Sequence, residues 1–126
     1  MIIRYSDKSR ELELQATKQE LDELSTKLTE DGAVIECGSS DIAVSPYTRF
    51  LSSILVKAVP THKAELQVSE GETLVISGDQ QKLSILAKSI SSIGREFLKG
   101  EHAHIEYYEG DSCLSPSSIP LVIVHL

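Results

Sequence analysis

The sequence predicts an α+β fold in which two degenerate β-β-α-β-β units share a mixed, mainly antiparallel sheet, with two helices packed on one face. Three observations predict it. First, sliding the chain along itself until Leu12 meets Leu74 aligns two segments without a gap: Leu14 falls on Ile76, Gln19 on Gln81, Leu21 on Leu83, Leu24 on Leu86, Leu28 on Ile90 and Gly32 on Gly94. Second, each aligned segment changes period from two to that of a helix at an N-cap residue, Thr17 or Asp79. Third, Ser-Pro pairs recur after each helix, with Val44-Ser45-Pro46 matching Leu114-Ser115-Pro116 once Ile35 is laid on Ile105.

The elements follow in order. Ile2 to Tyr5 and Glu11 to Leu14 alternate as strands, and the second leads into Thr17. Thr17 with Glu20 has the spacing of a capping box, each side chain able to satisfy the other's orphan N–H. Apolar residues then recur at helical spacing until Gly32, where glycine suits a helix stop. Val34 to Cys37 resumes as a strand, Gly38 to Thr48 is irregular, and Ile54 to Val59 closes the first half. The second half repeats the plan. Ala64 to Val68 and Thr73 to Ile76 flank a tight turn at Ser69-Glu70-Gly71-Glu72, where glycine accepts positive φ. Asp79 caps the second helix, Gly94 is read as its stop, and Ala103 to Tyr108 and Leu121 to Leu126 are strands. Leu121-Val122-Ile123-Val124 is apolar on both faces, which predicts a central strand covered on both sides. Tyr107 and Phe50 are expected in the core. The chain reads as a single domain over residues 1–126, with halves of about 1–62 and 63–126.

Composition bounds the function. The chain has 126 residues, 40% hydrophobic and 25% charged, as in a globular domain. It holds no run near the roughly 18 apolar residues of a membrane span, and its first residues lack the pattern of a secretory signal. Cys37 and Cys113 are too few for a disulfide framework and read as reduced thiols of a cytoplasmic protein. A formal charge of −7 opposes binding to nucleic acid or to anionic membranes and favours a basic partner. No Lys or Arg follows residue 100, while Glu101, Glu106, Glu109 and Asp111 stand together. Such a run is commonly a plain solvated face.

Catalytic chemistry finds little support. His102, His104 and Glu106 alternate along a strand, so their side chains share a face and offer two imidazoles and a carboxylate to a metal. This makes a small metal-dependent enzyme the alternative reading. The rest of a metal signature is missing, and a polar strand face accounts for the same letters. The chain lacks GxSxG, a cysteine with histidine and acid at a known spacing, and a phosphate-binding glycine loop. Nothing apolar flanks Glu106, Glu109 and Asp111 so as to raise a pKa for acid-base work. His62 and His125 are isolated. No cofactor and no enzymatic activity are expected.

The stretch Gly100-Glu101-His102-Ala103-His104-Ile105-Glu106-Tyr107, then Leu114-Ser115-Pro116-Ser117-Ser118, then Pro120-Leu121-Val122-Ile123, resembles immunity protein family 32 of bacterial polymorphic toxin systems. Pro46-Tyr47 with Phe50-Leu51 is similar to the middle of that family. Ser112-Cys113 departs from it, standing where a more aromatic pair is expected. The resemblance implies a small cytoplasmic protein that protects a cell by binding and neutralising a cognate toxin, as in competition between bacteria. An acidic chain suits a basic toxin such as a nuclease. The expected partner-binding residues are Glu106, Tyr108, Glu109 and Asp111, joined by Asp41 and Tyr47 from the matching loop of the first half.

Overall fold

The computed structural model describes residues 1–39 and 46–126. Alternation writes the first hairpin. Ile3, Tyr5, Leu12, Leu14 and Ala16 are buried, and β1 (Ile2–Ser6) pairs antiparallel with β2 (Glu11–Ala16), Ile3 opposite Leu14. Thr17 then turns the chain into α1 (Lys18–Lys27). Its hydroxyl accepts from the Glu20 N–H at 3.2 Å, and the Glu20 carboxylate accepts from the Thr17 N–H at 3.0 Å, completing the capping box. β3 (Val34–Glu36), β4 (Arg49–Leu51) and β5 (Ser53–Ala58) follow.

The second half opens with the hairpin of β6 (Glu65–Val68) and β7 (Thr73–Gly78). Its turn is where the sequence puts it, but the positive φ falls on Glu72 and not on Gly71. The Asp79 carboxylate accepts from the Lys82 N–H at 2.8 Å and starts α2 (Gln80–Glu96). β8 (His102–Ile105) and β9 (Leu121–His125) complete the chain.

The strands form two sheets, not one. β4-β1-β2-β9-β8 make the first and β3-β5-β7-β6 the second. The cause is an exchange between halves. β9 lies parallel to β2, with Ile123 opposite Leu14, and β5 lies parallel to β7, with Ile54 opposite Leu74. Each sheet thus takes a hairpin from one half and the closing strands of the other. The registers also agree with the internal alignment. Ile35 pairs with Ile54, which pairs with Leu74; Ile105 pairs with Leu121, which pairs with Leu12.

Both sheets turn their apolar faces to the helices, and these side chains form one core with Leu21, Leu24, Leu83, Leu86 and Ile90. The five apolar pairs from Leu12 and Leu74 to Leu28 and Ile90 are all buried there; Ile35, laid on Ile105, is half-buried, and Val44 and Ser45 lie outside the described residues. The helices run antiparallel: the Ser25 hydroxyl donates to the Ala87 carbonyl at 2.8 Å, and Gly94 lies against Leu21 and Lys18.

Several expectations are corrected. Gly94 does not stop the second helix; it sits inside α2, where the missing side chain lets α1 approach. α2 has 17 residues against 10 in α1, so the pairing of Gly32 with Gly94 is sequence coincidence. The strand from Ala103 ends at Ile105, short of Tyr108, because its partner β9 begins only at Leu121 after Pro120. β4 lies in a segment too short for alternation to show, and it pairs with β1 through Leu51 and Ile3. Val122 and Val124 are half-buried on the outer face of β9, so that strand is not covered on both sides. Phe50 also lies outside the core, half-buried with the Arg4 guanidinium 5.9 Å from its ring centroid, and Tyr107 is half-buried. Among the described residues, no helix is long and apolar enough to cross a membrane.

Candidate functional site: the groove between α2 and β8

Four of the six expected partner-binding residues follow β8. The loop from Glu106 turns at Tyr108–Asp111, where the Asp111 N–H donates to the Tyr108 carbonyl at 2.9 Å. Gly110 takes φ +87 at the third position of that turn, the requirement of a type II turn. Glu106 and Glu109 are exposed, and Tyr108 is 66% exposed, so its ring stands out from the surface.

Asp111 is different. It is only 5% exposed. Its carboxylate accepts from the Cys113 N–H at 2.8 Å and from the Leu114 N–H at 3.1 Å, while its main-chain carbonyl accepts from Lys63 Nζ at 2.7 Å. This acid fixes the loop and does not belong to the exposed acidic edge. Aspartate readily binds backbone N–H groups just ahead of it in sequence, and that local use outweighed the simple count of acids. Nearby, burial first and then the Asp111 charge push the Cys113 thiol above its ordinary value.

The first-half residues are elsewhere. Asp41 lies outside the described residues. Tyr47 precedes β4, at the opposite edge of the sheet from β8. Burial, the charges of Glu13 and Glu11 and a hydrogen bond with Glu13 raise its phenol pKa. Tyr47 therefore packs over the outer face near β2 and is not gathered with Glu106 and Tyr108.

His102 and His104 stand exposed on the outer face of β8, opposite Val124 and Val122, while Ala103 and Ile105 face inward. Glu106 lies beyond the strand end. Among the described residues, no group of three or more His, Cys, Asp or Glu side chains is placed to hold a metal. His62 is exposed, with Nδ1 3.0 Å from the Pro60 carbonyl oxygen. His125 is buried, and neither ring nitrogen has a hydrogen-bond partner among the described residues. Cys37 and Cys113 are free thiols, and burial pushes Cys37 up to about 11.

Glu106, Tyr108 and Asp111 line a groove that sequence reading missed. It runs between α2 and β8, has a volume of about 780 Å³, and extends from Ile85 to Leu114. Ile85, Ser89, Ile93 and Phe97 line one wall; β8 and the residues after it line the other. Its lining includes the carboxylates of Glu106 and Asp111 and the imidazoles of His102 and His104 and, among the described residues, no Lys or Arg. One signal was available in the sequence. Ile85 falls off the stripe of Leu83, Leu86, Ile90 and Ile93, and it remains 40% exposed.

Residues 73–126 match the model of a family described as Immunity protein 32. No curated protein and no solved structure matches the chain. The matched stretch contains the whole lining of the groove between α2 and β8. Over these residues the chain is similar to Immunity protein 32.

Proposed function

We propose that this chain is an immunity protein that binds a cognate toxin domain at the α2–β8 groove and neutralises it by occluding its active site. One observation carries the reading: a groove lined by Glu106 and the outstanding ring of Tyr108, with Glu109 next along the loop and, among the described residues, no Lys or Arg in the lining, lies wholly within the residues similar to Immunity protein 32. An immunity protein acts by binding and needs no catalytic centre of its own. The chemistry of the groove suits that role. Exposed carboxylates draw in a basic partner, and a protruding tyrosine supplies contact area at little entropic cost. A toxin with a basic substrate groove, such as a nuclease, fits this charge best; occupying that groove would block its substrate.

The test is protection in cells. Bacteria expressing the toxin domain encoded beside this gene should survive when the wild-type chain is co-expressed. A Glu106→Lys/Tyr108→Ala/Glu109→Lys variant, folded by circular dichroism, should lose most of that protection. Full protection by the folded variant would place the toxin on another surface.

A further inference from the structure

Three of the four sheet edges differ from β8 in how they end. β4 ends the same sheet on the other side, but it has only three residues, Arg49–Leu51, all paired with β1. The outer flank of β6 and the residue before it is covered by the chain after Cys113. There the Ser115 N–H donates to the Ala64 carbonyl at 2.8 Å, and the Ile119 N–H to the Leu66 carbonyl at 2.9 Å. β3 is open but has only three residues. β8 has four, ends its sheet, and among the described residues has no strand on its outer side.

The phase of β8 can be read from its first bonds. The Gly100 N–H donates to the His125 carbonyl at 2.6 Å, and the His125 N–H donates to the Glu101 carbonyl at 3.1 Å. With Gly100 at φ +88, two residues oppose one, which is a glycine bulge. Antiparallel pairing then alternates. Ala103 and Ile105 bond to β9, and His102 and His104 turn their backbone N–H and C=O groups outward. Sheet edges are commonly protected by lysine or proline, and β8 carries neither.

Granted the toxin-binding role proposed above, we infer that the toxin docks by adding an extended segment to β8 as a further strand. The backbone groups of His102 and His104 supply two donors and two acceptors for the ladder. Alternate side chains of the incoming strand would pack on Ile85, Ile93 and Phe97 of the groove wall. Its charge follows from Glu106 in the lining and the exposed Glu109 in the loop beside it, with no Lys or Arg in the lining among the described residues: the segment carries Lys or Arg beside its apolar residues. A second copy of this chain would bring the same acids against each other, and RNA or DNA would bring phosphates.

The test uses the inactivated toxin domain encoded beside the gene. His104→Pro removes an outward N–H while leaving the β8–β9 bonds in place, and proline is tolerated at such edge positions. This variant should bind at least about tenfold more weakly, whereas His104→Ala should stay within about threefold of wild type. In the wild-type complex, amide exchange at His102 and His104 should slow markedly; this measurement decides the matter if His104→Pro fails to fold. Unprotected amides, with Glu106→Lys/Glu109→Lys still weakening binding, would overturn strand addition but leave the toxin-binding role standing. No effect of either the acid reversal or the amides on binding would overturn both. Protection in the free protein that grows with its concentration would assign the edge to a second copy and overturn the inference.

Discussion

The α1–β3 groove and the α2–β8 groove occupy matching places in the two halves, yet their side chains differ in kind. In both, a helix lies beside an open strand that enters through a glycine of positive φ, Gly32 or Gly100. Both strands show an exposed outward face: Val34 and Glu36 in one, His102 and His104 in the other. The first groove, about 560 Å³, is lined by Asp22, Glu23, Glu30 and Glu36. Two of these acids already have partners, Asp22 with Lys18 at 3.3 Å and Glu30 with Lys27 at 3.4 Å. The second groove, about 780 Å³, has no Lys or Arg in its lining and gains Phe97, Tyr107 and Tyr108. The longer α2 supplies the extra wall. Backbone pairing made both edges; local side chains gave the first groove more acids and only the second an aromatic wall. Exposed ion pairs contribute little to stability, so Lys27 in the lining and Lys18 beside it chiefly offset part of the first groove's charge.

The two halves differ most sharply in backbone at the ends of their hairpins. Gly78 ends β7 where Ala16 ends β2, but a Cβ at Gly78 would stand 2.9 Å from the Ala64 Cα, and its φ is +153. Gly78→Ala should therefore cost on the order of 2–4 kcal/mol in a denaturant titration. A loss below about 0.5 kcal/mol would mean that the two hairpins tolerate the same residues and that the close approach of Ala64 is not required.

Asp111 sharpens the comparison at smaller scale. Asp111→Ala removes two hydrogen bonds to a buried carboxylate and should cost about 1–3 kcal/mol by thermal unfolding. It should also loosen the Glu109 turn, seen as faster amide exchange at Cys113 and Leu114. Unchanged stability would return Asp111 to the exposed acids and count against a positioning role.

Much of the scaffold was legible because it is local. Thr17, Glu20 and Asp79 make caps wherever a helix begins beside them, and the two-residue period of Leu12-Leu14 and Leu74-Ile76 needs no knowledge of partners. The exchange of closing strands was not legible, since Leu121 and Ile54 would be equally apolar beside either hairpin. The site divided in the same way. Tyr108 was read as the end of a strand and stands on the turn at Gly110, and the fate of Asp111 depended on which N–H groups that turn brought to it. Periodicity put Ile85 off the apolar stripe, but that it and Phe97 wall a groove depended on how α2 lies along β8, which periodicity does not encode. Tyr47 was separated from Tyr108 by strand order alone.

Under the proposed function the α2–β8 groove, and not its counterpart, receives the toxin. Stopped-flow association rates with the inactivated toxin domain test it most directly, using Glu106→Lys/Glu109→Lys against Glu23→Lys/Glu36→Lys. At low salt the first variant should associate at least about tenfold more slowly and the second within about threefold of wild type. The gap should narrow near 0.15 M salt, where the screening length is about 8 Å. Equal slowing by both variants, or greater slowing by the second, would contradict the assignment.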